Sequence, residues 1–180
     1  INLPACLTVA TFDAWRDERN NWEELARNIA QSAGFSGTDI VAFGESTNLV
    51  IALDGSAIIK IFPPFYHDQF VSERAALQHL DGKLTITTPH IINSGEQDGW
   101  SWIVMSKLQG VVGSAVWSQL SSDEMSVILH DVGRVIAEVH SVSPDELTQI
   151  GSSWPEFIRD QSRHCVERHR HQGLSERFMP

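Results

Sequence analysis

Residues 40–62 read Ile40-Val41-Ala42-Phe43-Gly44-Glu45-Ser46-Thr47-Asn48-Leu49-Val50-Ile51-Ala52-Leu53-Asp54-Gly55-Ser56-Ala57-Ile58-Ile59-Lys60-Ile61-Phe62, and the fold class turns on how this stretch divides. Ile40 to Phe43, Leu49 to Leu53 and Ala57 to Phe62 are three short runs rich in β-branched and aromatic residues, each of strand length. Asp54-Gly55 joins the last two as a hairpin turn, because both residue types tolerate positive φ. Gly44 to Asn48 breaks the first pair, and Pro63-Pro64 stops the third run, since proline brings no N–H to a ladder. Lys60 is the one charge inside that third run.

Working outward, Trp22, Leu25, Ala26, Ile29, Ala30 and Ala33 recur at helical spacing, with Asn20 or Asn21 to cap the start and Gly34 to end it. On the other side a helix fits Asp68 to Leu80, its apolar surface offered by Phe70, Val71, Ala75, Leu77 and Leu80. Ile91-Ile92 and Trp100 to Met105 read as two further strands around a turn over Gly95 to Gly99. Past Gly110 the texture becomes helical. Ser121-Ser122-Asp123-Glu124 is a capping box opening a helix lined by Met125, Ile128, Leu129, Val132, Val135, Ile136 and Val139. A last helix starts near Pro155 and runs to about Gln172, before Gly173. Helix, three strands, helix, two strands, then helices only is an α+β plan: a five-stranded antiparallel sheet with one inserted helix, followed by a helical region.

Composition bounds the function. The 180 residues are 42% hydrophobic and 20% charged, the balance of a globular chain with a real core. No run approaches the ~20 apolar residues that cross a bilayer. The opening Ile1 to Ala10 stretch lacks a basic lead and does not read as a signal peptide; it also lacks an initiator Met. Cys6 and Cys165 fit no metal or disulfide pattern, so a reducing cytoplasm is the expected compartment. A net charge of -10 argues against nucleic acid and anionic membrane as partners and is compatible with a cationic small substrate.

Three features carry candidate chemistry. The turn Phe43-Gly44-Glu45-Ser46-Thr47-Asn48 offers one glycine and small hydroxyls, which let backbone N–H groups approach phosphate oxygens; by itself the signal is weak, because most such turns are only turns. Lys60 can be an edge-strand solubility device, or an ammonium on a concave sheet face that meets a nucleotide's phosphates. The second role needs an acidic partner, because an unpaired charge there is costly, and Glu73 on the following helix can supply it. Lastly, Met105-Ser106-Lys107-Leu108-Gln109-Gly110 leaves a buried strand through a polar segment, where backbone groups can read a base edge above Met105. Loop, strand lysine and helix glutamate in this order match the arrangement that kinases use.

With these residues in view, the chain resembles the aminoglycoside phosphotransferase and choline kinase superfamily, relatives of the protein kinases. The likeness rests on Phe43 to Val50, Ile59 to Phe62, the Glu73 helix, Thr88-Pro89-His90-Ile91-Ile92, Val104 to Gly110 and Val132 to His140. The closing helix is similar to antibiotic kinases of the hygromycin-modifying sort. The resemblance implies a protein-kinase-like fold: a nucleotide lobe over residues 1–105, a linker at 106–110, and from 111–180 the first helices of an incomplete helical lobe. It implies that Lys60 holds the α- and β-phosphates of ATP or GTP, with Glu73 orienting it. Gly44, Ser46, Thr47 and Asn48 then sit in the nucleotide-positioning loop. Met105 packs on the base, and Ser106 and Leu108 present the backbone groups that read it. The parent reaction would move the γ-phosphoryl, with Mg2+, to a hydroxyl of a small and cationic molecule, an aminoglycoside first. The family's catalytic loop, His-x-Asp-x-x-x-x-Asn, and a later metal-holding Asp in an Asp-x-Asp or Asp-Phe-Gly setting are not found, so no catalytic residue and no metal ligand is assigned within this chain. Truncation accounts for this better than decay in place. A non-catalytic nucleotide-binding or interaction module, or an ordinary α+β domain with a structural Lys60–Glu73 pair, are the other readings.

Rival constellations give way on chemistry. His164, Cys165, His169 and His171 crowd one segment, but Arg163, Arg168 and Arg170 lie among them and would repel a metal ion. Asp13, Asp17, Glu18, Glu23 and Glu24 read as a solvated acidic patch. Trp22, Trp102 and Trp154 are expected at core-facing positions, and His140 as a satisfied core histidine.

Overall fold

The computed structural model describes residues 3–4, 7–36, 39–44, 46–150, 154–171 and 173. Cys6, Glu45 and Gln172 thus lie outside the described residues, as does the side chain of His171. The chain divides into two compact units, Ile1–Pro144 and Asp145–Pro180.

The first unit is built on one antiparallel sheet of β1 (Ile40–Phe43), β2 (Leu49–Leu53), β3 (Ala57–Phe62), β4 (Ile91–Gln97) and β5 (Trp100–Ser106), in the order β1-β2-β3-β5-β4. The three strands expected from residues 40–62 have the bounds read from the sequence. Alternation along β3 sorts its side chains onto two faces. Ala57, Ile59 and Ile61 point to a core shared with Ile51 of β2 and Val104 of β5. Over this face lie two helices, α1 (Val9–Asp17) and α2 (Arg19–Ser32), which bury Phe12, Trp22, Leu25 and Ile29 against it. Phe62 turns to the other face and joins Ile103, Met105 and Phe70 of α3 (His67–Leu80), the helix inserted between β3 and β4. Fully burying each such large side chain is worth about 1.5–3 kcal/mol. Lys60 lies on this second face, between Val50 of β2 and Ile103 of β5.

Several expectations are corrected. α1 has no counterpart among the helices expected from the sequence. α2 starts at Arg19 with Glu18 as its extended cap residue; neither asparagine caps it, and Asn21 instead donates Nδ2 to the Trp15 carbonyl at 2.8 Å. The acidic patch is not simply solvated, because Glu23 is gripped by Arg19 and Arg27, each at 2.6 Å. Gly95 belongs to β4, not to a turn: a Cβ there would stand 2.4 Å from the Trp102 indole, so the glycine makes room for that ring on the neighbouring strand. The reversal falls at Asp98-Gly99, both at positive φ, as Asp54-Gly55 are in the hairpin before it.

After β5 come the short α4 (Gly113–Val116), a 3-10 turn over Trp117–Gln119, and α5 (Ser122–Ser141). The capping box is present: Ser121 Oγ accepts from the Glu124 N–H while Glu124 accepts from the Ser121 N–H. The Ser121 N–H and then the Ser121 hydroxyl, both donating to Glu124 Oε2, hold the Glu124 carboxyl below its usual range. α5 buries none of its residues, so His140 is exposed rather than a core histidine. The second unit carries a 3-10 turn at Asp145–Gln149 and α6 (Trp154–His171). Trp154 is 70% exposed and stacks on Phe157, which overturns its assignment to a core.

Candidate functional site

The second sheet face brings the sequence-predicted residues together. β3 sets Lys60 in the row Phe43–Val50–Lys60–Ile103 across four strands, so the loop that leaves β1 after Phe43 lies at the same end of the sheet as the ammonium. On α3, Phe70 anchors the helix to the sheet, and Glu73 three positions later shares its face. Lys60 Nζ donates to Glu73 Oε2 at 2.5 Å, with the two side chains 23% and 32% exposed. The ammonium also stands 5.2 Å from the Phe62 ring centroid. A half-buried cation held by one carboxylate keeps donor capacity to spare, since an ammonium has three N–H bonds.

The loop is fastened at both ends of its polar run. Ser46 Oγ donates to the Asn48 carbonyl at 2.6 Å, and Asn48 Nδ2 donates to Gln69 Oε1 at 3.2 Å. Asn48 is buried, with its Oδ1 lacking a partner among the described residues, so its side chain secures the loop to α3 rather than facing the cleft. Gln69 and Glu73, one helical turn apart, thus hold the loop and the lysine from the same helix. Gln69 was missed in the sequence; its spacing of four from Glu73 is the signal that could have found it. Thr47 is exposed. A Cβ added at Gly44 would meet nothing within 4 Å among the described residues, so no described neighbour demands glycine there.

Beside Lys60 on the same face, Ile58 is two residues back along the strand, ~7 Å away. It opens onto a pocket of about 510 Å³ whose walls include Phe43, Ile58, Pro89, Met105 and Leu108, a volume suited to a small organic ligand. Phe43 and Pro89, absent from the expected set, complete its apolar lining. The exit from β5 is partly committed: the Ser106 N–H donates to the His90 carbonyl and its Oγ accepts from the His90 N–H, both at 3.0 Å. The Lys107 N–H is taken by the Ser56 carbonyl at 2.9 Å. Leu108 keeps its backbone groups unpaired among the described residues, and of the two linker residues expected to read a base it is the one with a free N–H.

His79-Leu80-Asp81 is a His-x-Asp that the sequence reading passed over. It closes α3, has no Asn in the required place, and His79 Nε2 donates to the Ser143 carbonyl at 2.7 Å, which fits a structural role. Among the described residues no group of three His, Cys, Asp or Glu side chains converges on a metal position. His164 lies 3.2 Å from Asp160, and Cys165 3.6 Å from His169 Nδ1, as pairs along one helix. No helix among the described residues is long and apolar enough to cross a membrane.

Comparison with known proteins places this arrangement. No protein of curated function matches the sequence significantly. Among solved structures, the wild-type GDP complex of aminoglycoside 2'-phosphotransferase-IIIa superposes with a TM-score of 0.69 at 19% identity, covering 87% of this chain and 55% of that one. A mutant of the same enzyme, also with GDP, gives 0.68 at 19% identity, over 86% and 53%. A streptomycin-ATP-APH(2")-IIa ternary complex gives 0.58 at 13% identity, over 90% and 54%. These likenesses establish the fold, that of kinase-like phosphotransferases, and the chain spans about half the length of each structure. The model of the phosphotransferase enzyme family matches residues 41–178, from β1 through all the strands, the Lys60–Glu73 pair and the later helices. The chain belongs to the phosphotransferase enzyme family.

Proposed function

We propose that this chain is the nucleotide-binding part of an ATP- or GTP-dependent phosphotransferase whose acceptor is a hydroxyl on a small cationic molecule, an aminoglycoside-like compound first. The observation that carries the reading is the Lys60–Glu73 pair, 2.5 Å apart on a sheet face that also holds a 510 Å³ apolar pocket. In this reading the base rests on Ile58 and Met105 beside the Leu108 backbone, and Lys60 holds the α- and β-phosphates. Gly44, Ser46 and Thr47 present the loop to the remaining phosphate oxygens, while Asn48 secures that loop. Residues 1–105 are the nucleotide lobe, 106–110 the linker, and 111–180 begin a helical lobe. Support for the last point comes from α5, whose Leu129, Val132 and Ile136 are 59%, 49% and 50% exposed, an apolar stripe the described residues leave uncovered.

Phosphoryl transfer further needs a base for the acceptor hydroxyl and carboxylates for Mg2+. The described residues do not converge on such a metal site. In this reading the 180 residues bind nucleotide without turning it over. The test is ATP-dependent thermal stabilisation of the chain and of Lys60→Ala, with phosphate release followed in the same samples. Stabilisation that requires Lys60, without release, is expected; no stabilisation, or turnover by this chain, would overturn the reading.

A further inference from the structure

α1 reaches the loop between β1 and β2 through a single side chain. Arg16, in the last turn of α1, donates an Nη1 hydrogen bond to the Ser46 carbonyl, and its Nη2 pairs with Asp13 at 3.1 Å. The Arg16 side chain is only 16% exposed, whereas Asp13 is 66% exposed. A surface arginine kept for solubility would stand the other way, with its head in water. Its guanidinium carbon stands 6.0 Å from the Phe12 ring centroid, and its own carbonyl accepts from Trp22 Nε1 at 2.7 Å, so both ends of the residue are fixed.

The consequence for the loop follows from peptide geometry. In a trans peptide the C=O of one residue and the N–H of the next point in opposite directions, and none of the described peptides is cis. α1 packs with the core on the sheet face opposite Lys60. A Ser46 carbonyl drawn toward α1 therefore turns the Thr47 N–H away from it, toward the side of the ammonium. That N–H has no partner among the described residues, and Thr47 is exposed. The Ser46 hydroxyl, donating to the Asn48 carbonyl at 2.6 Å, keeps the turn from rotating back.

We propose that Arg16 is a positioning residue for nucleotide phosphate, acting through the Ser46–Thr47 peptide without touching the ligand. The proposal rests on the nucleotide-binding reading above. The N-terminal helix then does more than cover the sheet: it sets the direction of the loop's free donor.

The experiment compares ATP with adenosine, by calorimetric titration of the 180-residue chain and of Arg16→Met and Arg16→Lys. Arg16→Met keeps an unbranched apolar stem and removes the donors. It is expected to weaken ATP binding roughly ten-fold, the scale of one charge-assisted hydrogen bond, and to leave adenosine binding unchanged. Arg16→Lys, with one compact head in place of a fork, should fall between. Equal losses for both ligands would reduce Arg16 to a structural contact, and an unchanged ATP affinity would discard the proposal. A wild-type chain that does not bind ATP sinks the nucleotide reading itself and this proposal with it. Should Arg16→Met fail to fold, Arg16→Lys carries the same ATP-to-adenosine comparison, with the same two outcomes.

Discussion

At the scale of single residues, the question is whether Lys60 and Glu73 are paired for stability or for a ligand. An ion pair with both side chains a quarter to a third exposed contributes about 0–1 kcal/mol to folding. Glu73→Gln is therefore expected to leave the melting temperature of the free chain nearly unchanged. Its effect should appear in ATP affinity, weakened about ten-fold as the ammonium loses its orienting partner. A drop in melting temperature with unaltered affinity would return the pair to a structural role. Gly95 makes a separate test of the packing. A methyl there meets the Trp102 ring at 2.4 Å, and the ring belongs to a strand that cannot easily yield. Overpacking of this kind costs about 1–3 kcal/mol, so Gly95→Ala should lower the denaturation midpoint, and an unchanged midpoint would mean that the indole swings aside.

At the scale of elements, α2 shows how local charge supplements an apolar stripe. Arg19 and, next, Arg27 hold the Glu23 carboxyl at a pKa of about 2, against an ordinary value of 4.5. A carboxyl depressed in the folded state stabilises it above the unfolded pKa, and that contribution fades as pH falls from about 4.5 toward 2. NMR titration should find the Glu23 midpoint near the lower value, and Glu23→Gln should flatten the acid limb of the stability curve over that window. A Glu23 midpoint at the ordinary value would show the two arginines disengaged in solution. The same elements show what was legible beforehand. β1 to β3 were read to the residue because β-branched runs, Asp54-Gly55 and Pro63 act locally. α3 and α5 were nearly as clear, from periodicity and a capping box. α1 was not, since it buries Phe12 alone and its other ties, Arg16 to Ser46 above all, are tertiary. Gly95 misled for a related reason: a glycine that clears space for Trp102 looks, in sequence, like a glycine that turns the chain. At the site, Lys60, Glu73 and the loop could be read from order and residue type. Gln69, Phe43 and Pro89 depended on which side chains the register and α3 bring to one face.

At the scale of the whole molecule, the two sheet faces divide the work. One is closed by α1 and α2 into a dry core, and the other is left open between α3 and the linker, with an ammonium, a loop and an apolar pocket along it. The central claim is that this open face binds a nucleotide through Lys60. Its most direct test is the thermal shift produced by ATP. At a concentration one hundred times the dissociation constant, a ligand specific for the folded state adds about 2.7 kcal/mol. For a domain of this size that raises the melting temperature by roughly 5–10 °C. The account predicts such a shift for the wild-type chain and its near disappearance in Lys60→Ala at the same ATP concentration. An equal shift in both, or none in the wild type, would contradict it.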